Sequence, residues 1–318
     1  MADKLLVVSS SPHIRTPDTT ERLMKNVQYA LLPAVVAAAL LFGFRALAII
    51  LVSVICAVLS ELVYQRLTGQ EVTVGDGSAA VTGILLALVL PPTVPLWLPA
   101  VGAIFAIVMV KQLFGGLGDN FLNPALTARA MLLAAWPALM TSWITPQGVA
   151  GATPLVAIVP KTAEATNAAI PSLANLFLGY RAGSLGETSV LALLLGGGYL
   201  IWRRVIDWRI PASFIATVGV MAWVFGGARP FTGDPLLHVL SGGLILGAFF
   251  MATDYVTSPV TPRGRIIFGI GCGVITMLIR LWGGYPEGVC YSILIMNVAT
   301  PLIDRFTAPR IFGEVRAK

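Results

Sequence analysis

Three stretches of this sequence concentrate the polar groups that an otherwise apolar chain would put to chemical use. In Asp119-Asn120-Phe121-Leu122-Asn123-Pro124-Ala125-Leu126-Thr127, Asp119 reads as an N-cap and Pro124 is tolerated only near a helix start, so the segment opens a helix. Asn120, Asn123 and Thr127 fall at i, i+3 and i+7 and share one face of it. Two readings stay open: the amides satisfy the backbone of an adjacent broken helix, or they read the hydrogen-bonding edge of a polar, planar ligand. The second stretch, Met251-Ala252-Thr253-Asp254-Tyr255-Val256-Thr257-Ser258-Pro259, places Asp254 at a break. An acid there is either a structural cap or part of a ligand or cation site. The third is Gly148-Val149-Ala150-Gly151-Ala152-Thr153-Pro154-Leu155. Small neighbours leave the Thr153 hydroxyl open, and Pro154 biases Thr153 toward an extended backbone. Taken alone, such a string is a turn.

Other chemistries lack their residues. The only histidines, His13 and His238, have no second ligand at metal-binding spacing. Cys56, Cys272 and Cys290 lie far apart in apolar runs, which suits packing rather than a disulfide or metal cluster. No nucleophile motif or phosphate-cradling loop is present.

The elements that must position these groups are membrane-embedded. Hydrophobic residues make up 57% of the 318 positions and charged residues 11%, with a mean hydropathy of +0.84. A soluble protein carries about a quarter charged residues, so soluble enzymes, nucleic-acid binders and disordered chains are set aside. The sequence pI of 9.5 then bears on lipid head groups, with the bilayer as partner and no nucleic acid. The first 26 residues are polar and lack the apolar core of a signal peptide.

With a span needing about 20 residues, apolar stretches fall at 27–44, 46–65, 79–92, 96–114, 121–143, 188–202, 211–227, 236–252, 265–282 and 288–304. Those at 79–92 and 236–252 are short and end in Pro91-Pro92 and in Asp254 followed by Pro259, so they read as half-helices. With the amino terminus inside, 15 Lys and Arg fall on the inner side, Lys111 among them, and five fall outside: Arg45, Lys161, Arg181, Arg229 and Arg280. That asymmetry places both termini in the cytoplasm.

The chain also aligns with itself at an offset of 168 residues: Pro91 on Pro259, Thr93 on Thr261, Met109 on Met277, Gly115-Gly116 on Gly283-Gly284, Asp119 on Glu287. Five spans per half make the second copy inverted, an arrangement that puts binding sites among broken helices at the repeat interface. The expectation is an all-α integral membrane protein of about ten transmembrane helices in two inverted five-helix repeats. It divides into a cytoplasmic arm (1–26), a first repeat (27–143), an extracytoplasmic loop (144–187), a second repeat (188–306) and a cytoplasmic tail (307–318).

Ser9-Ser10-Ser11-Pro12-His13, Gly115-Gly116 before Asn120-Phe121-Leu122-Asn123-Pro124-Ala125-Leu126, Gly151-Ala152-Thr153-Pro154-Leu155 and Met251-Ala252-Thr253-Asp254 together resemble the NqrB/RnfD family. Length and the short arm are similar to its RnfD branch. The resemblance implies a flavin-containing subunit of an ion-translocating oxidoreductase, active only within the multi-subunit Rnf complex, in the bacterial cell membrane. That complex is a redox-driven Na⁺ or H⁺ pump working between ferredoxin and NAD⁺. It implies FMN joined through its phosphate to Thr153, in a motif with Gly151 and Ala152, by a separate flavin transferase; Ala150 stands where the pattern often has a hydroxyl residue. It further implies a non-covalent riboflavin at Asn120, Asn123 and Asp254, with Thr127 on the same face. Lys161 or Arg181 is then a candidate partner for the phosphate.

Two rival expectations come from other classes: an inverted-repeat channel or transporter for a small polar solute, and a structural anchor for redox partners. Neither requires the Gly-Ala-Thr string. Glu61, Asp254 and Asp304 are carboxylates at or near membrane depth and are candidates for an ion path.

Overall fold

The structure, a computed structural model, describes residues 18–151, 153–158, 172–227, 229–285 and 287–309. Ser9 to His13, Ala152 and Lys161 lie outside the described residues. The chain is an all-α integral membrane protein. Its first half runs α1 (Thr20–Phe42), α2 (Phe44–Thr68), α3 (Ser78–Leu88), α4 (Trp97–Phe105) and α5 (Pro124–Ala135). The second runs α6 (Val190–Trp202), α7 (Arg209–Phe225), α8 (Pro235–Leu240), α9 (Pro262–Trp282) and α10 (Val289–Thr307). Among the described residues, α1, α2, the α4 run Trp97–Phe114, α9 and α10 are long and apolar enough to cross a bilayer. Shorter apolar helices are α3, α5, α6 and α7. The 168-residue offset carries the α4 run 97–114 onto 265–282 within α9, and 124–135 onto 292–303 within α10.

Local chemistry sets the helix ends. The Thr19 hydroxyl accepts the Arg22 N–H and starts α1, and the Thr261 hydroxyl accepts the Gly264 N–H with Pro262 at the first turn of α9. Leu40 and Phe44 are 81% and 82% exposed in the isolated chain, as side chains facing lipid should be. Trp97, Trp202, Trp208 and Trp282 sit at helix ends, where an aromatic ring bridges hydrocarbon and head groups.

Small residues draw the helices together. Gly83 of α3 lies against α2 so closely that an added Cβ would come within 2.7 Å of the Val54 Cα, and the Ser53 hydroxyl donates to the Gly83 carbonyl at 2.8 Å. This is how polar and small groups join helices where lipid removes the hydrophobic drive. The other main packings are α1 on α6, α2 on α4, α7 on both α8 and α9, and α9 on α10, with α5 resting on both α3 and α10.

Three expectations are corrected. Asp119 is not the N-cap: Gly115, Gly116 and Gly118 have φ of +121°, +101° and +113°, which breaks the chain into turns and folds Asp119 back over Gly115. The cap is Asn123, whose Oδ1 accepts the Leu126 N–H at 3.2 Å, so the helix begins at Pro124 and Asn120 lies outside it. The span expected over 121–143 ends at Ala135, with a separate turn at Pro137–Met140, because Pro137 cannot continue the helix. The stretch 236–252 is broken in its middle, at Ser241-Gly242-Gly243, and resumes as Leu244–Leu246 and a π-helical turn, Gly247–Met251. A second π-helical turn, Ala106–Lys111, continues α4.

Candidate functional site

A cleft of about 80 Å³ lies where α3, α5 and the turn Gly247–Met251 meet. That is below the roughly 300–1,000 Å³ of small-molecule sites, so a ring ligand would have to part the side chains that line it. Val81, Leu85, Leu200, Phe249 and Phe250 give it apolar walls, and Asn120, Asn123, Asp254, Ser78 and Lys111 supply polar groups.

The structure separates the amides by role. Asn123 is spent on structure: its Oδ1 caps α5, its Nδ2 donates to the Met251 carbonyl at 3.4 Å, and its N–H meets Asn297, whose Oδ1 accepts it at 3.2 Å in the amide orientation that satisfies that side chain. Asn120 differs. Its Nδ2 donates to the Leu122 carbonyl at 3.1 Å, while its Oδ1, in a residue 4% exposed, has no partner among the described residues. A buried amide oxygen without a donor carries a cost, and here it belongs to a residue of the cleft wall. Thr127 does not line the cleft; its hydroxyl bonds back to the Asn123 carbonyl at 2.8 Å. Asp254 does line it while holding its own turn, accepting the Val256 N–H at 3.5 Å and the Thr257 hydroxyl at 3.3 Å.

Lys111 was counted from sequence as an inner-side charge. It is 2% exposed, at the end of the π-helical turn, and its Nζ donates to Glu61 Oε1 at 2.6 Å and to Ser78 Oγ at 2.5 Å. The Gln112 amide donates to the same Glu61 oxygen at 2.6 Å. The signal was present as single charges inside the apolar runs 46–65 and 96–114, but their pairing across 50 positions is a tertiary fact. Asp304, the third candidate for an ion path, accepts the Val260 N–H at 3.1 Å.

Thr153 stands elsewhere, at the head of the turn Pro154–Ile158. The preceding chain doubles back through an isolated bridge between Ile144 and Ala150, and Gly151 donates its N–H to the Trp143 carbonyl at 3.2 Å. Thr153 is buried and its hydroxyl has no partner among the described residues. Leu155 packs on Gly242, where an added Cβ would come within 2.7 Å of a Leu155 methyl. The segment thus rests on the break in the α8 stretch.

At that break lies a charge cluster that sequence reasoning missed. Arg181 donates to the carbonyls of Leu240 and Glu187, and Arg280 to those of His238 at 2.7 Å and Ser241 at 3.2 Å. These guanidinium groups cap the carbonyl end of α8. Arg129 of α5 pairs with Glu287 and stands 3.6 Å from Glu187. Arg181 and Arg280, placed outside by the charge count, are therefore buried structural groups, and the Arg181 Nη atoms are already committed to backbone.

The family model described as the NQR2, RnfD, RnfE family matches residues 7–313. A relative from Acetobacterium woodii, the D subunit of the Na(+)-translocating ferredoxin:NAD(+) oxidoreductase complex, is 52% identical over 318 residues, covering 98% of this chain and 97% of that protein. The D subunit of the proton-translocating ferredoxin:NAD(+) oxidoreductase complex of Clostridium ljungdahlii is 47% identical over 322 residues, covering 98% and 97%. The D subunit of the ion-translocating oxidoreductase complex of Halorhodospira halophila is 40% identical, covering 96% and 95%.

Proposed function

The chain belongs to the NQR2, RnfD, RnfE family, and from that premise we propose that it is a membrane electron-relay subunit of an ion-translocating ferredoxin–NAD⁺ oxidoreductase. In this reading it sits in the cell membrane among the other subunits of the Rnf complex, with both termini cytoplasmic and residues 144–187 outside. It carries FMN as a phosphodiester on Thr153, installed by a flavin transferase, and a non-covalent riboflavin in the cleft.

The observation that carries the reading is Asn120 Oδ1, a buried acceptor without a partner on the wall of an apolar cleft. An isoalloxazine ring has an apolar benzenoid end and a pyrimidine edge with an N–H between two carbonyls, so such walls and such an acceptor suit it. Asn120 would accept that N–H, and Phe249 and Phe250 would cover the ring and keep water out. Thr153 fits a tether in the same sense: among the described residues nothing bonds its hydroxyl. Because Leu155 packs down on Gly242, the transferase must reach Thr153 before that packing closes or while it is lifted. A bound flavin exchanges one or two electrons and so joins iron–sulfur carriers to hydride carriers. The side chains here orient and exclude water rather than supply acid–base catalysis.

Chain produced with its flavin transferase should fluoresce under ultraviolet light after denaturation, and the peptide containing Thr153 should have the mass of an FMN adduct. An unmodified peptide refutes the tether. Flavin released from the native Thr153→Ala complex should be riboflavin, and a complex that releases none refutes the cleft assignment.

A further inference from the structure

Two carboxyl groups come together beside the Ser241-Gly242-Gly243 break, around an Arg129 Nη2 that hydrogen-bonds Glu287 and not Glu187. Glu187 precedes α6 and Glu287 precedes α10, their side chains are 4% and 13% exposed, and both face the same Arg129 Nη2 and the same Gly243. Glu287 is provided for: its Oε1 accepts the Gly243 N–H at 3.2 Å and its Oε2 takes Arg129. Glu187 Oε1 has no hydrogen-bond partner among the described residues. Its nearest cation, Arg129 Nη2, stands 3.6 Å away, an ion-pair distance too long for a hydrogen bond. The oxygens close over a glycine, since an added Cβ on Gly243 would lie 2.6 Å from Glu287 Oε1 and 3.0 Å from Glu187 Oε1.

The other facing groups do not supply the missing donor. Arg181, on the Glu187 loop, and Arg280, on α9, direct their Nη atoms to carbonyls. Cys290 of α10 donates its thiol to the Leu126 carbonyl at 3.3 Å, and both ring nitrogens of His238 in α8, the Nε atoms of Arg129 and Arg280 and the hydroxyls of Ser184 and Ser241 make no hydrogen bond among the described residues. Two ionised carboxylates side by side, one with a bare oxygen away from water, repel each other and forfeit solvation. A proton on Glu187 Oε1 turns this pair of acceptors into a short, charge-assisted O–H···O⁻ bond. A metal ion would need several oxygen ligands around it, and among the described residues no group of three or more His, Cys, Asp or Glu side chains could hold one.

We propose that Glu187 and Glu287 hold one proton between them, forming a proton-binding site where α5 of the first half meets the broken α8 stretch and α10 of the second. Arg129 and Glu287 come from opposite halves, so the proton is felt by both. The site also lies at the foot of the segment that carries Thr153, and it stands whether or not a flavin is attached there.

Infrared difference spectra of the purified complex between acidic and alkaline buffers, in H₂O and D₂O and with carboxyl-¹³C glutamate, test this. One protonated-carboxyl band should move on deuteration and on labelling. Glu187→Gln and Glu287→Gln should each abolish it entirely, because the amide NH₂ supplies the donor and the remaining carboxylate then needs no proton. A band that survives both substitutions, or no band, overturns the proposal; a Na⁺ bridging two ionised carboxylates would give the latter result. Should a glutamine variant fail to assemble, Glu187→Asp retains a carboxyl group and should shift the band, and an unshifted band is again contrary.

Discussion

Replacing Lys111 with Met isolates the most heavily buried ion pair at the cleft. Its Nζ lies 2.6 Å from Glu61 Oε1, and the side chains are 2% and 0% exposed. At an effective dielectric of about 20, that separation gives an attraction of roughly 6 kcal/mol, which the desolvation of two charges largely offsets. The intact pair is therefore worth little net, whereas Lys111→Met leaves Glu61 buried with the Gln112 amide as its remaining donor. Breaking such a pair costs about 3–5 kcal/mol, and the lower end applies here because membrane-embedded denatured chains also find partners for polar groups. Glu61→Gln strands Lys111 and should cost a similar amount. The double variant Glu61→Gln/Lys111→Met removes both charges and should return to within about 1 kcal/mol of the parent. Equilibrium unfolding in mixed detergent–SDS micelles measures all four chains. Two single variants as stable as the parent, or a double variant as weak as the sum of the singles, would refute the account of this pair.

Asn120→Ala should leave the fold within about 0.5 kcal/mol of the parent and lose the flavin of the cleft, while Asn123→Ala should cost about 1–2 kcal/mol by removing the α5 cap; a stability loss in the first variant and none in the second would reverse the roles assigned to these amides. Gly83→Leu should prevent α3 from seating on α2, where even a Cβ would come within 2.7 Å of the Val54 Cα, and should appear as misassembled, protease-sensitive chain; normal assembly counts against that contact. Asp207 accepts the Arg209 N–H at 3.0 Å and pairs with Arg209 and Arg265 at 2.7 Å. Partial burial works to raise its pKa, but the Arg209 N–H and the two guanidinium groups outweigh it and hold the carboxyl below its usual range. Its stabilising effect is thus present above the ordinary carboxylate pKa of about 4 and lost as pH falls through the depressed folded value, so Asp207→Asn should flatten the acid side of a melting-temperature profile, and identical parent and variant profiles would contradict this.

The family and the all-α membrane class were legible in the sequence. Apolar run length, helix-breaking prolines and the order of short motifs are properties of the chain itself, and lipid leaves helices as the way for such runs to satisfy their backbone. The pair Pro91-Pro92 likewise marked where the stretch that folds as α3 must end, although the helix itself stops at Leu88. What sequence could not settle was the use of each polar group. Asn120 and Asn123 looked equivalent, yet three positive-φ glycines kept Asn120 out of the helix and made Asn123 its cap. Lys111, Arg181 and Arg280 counted as peripheral charges until folding brought Glu61 and the α8 carbonyls to them. Spacing along a chain determines which groups share a helix face, whereas the partner of a buried charge lies 50 or more residues away for Lys111 and 158 away for Arg129. Only packing decides that pairing, because the cost of an unpaired charge arises once neighbouring helices have removed its water.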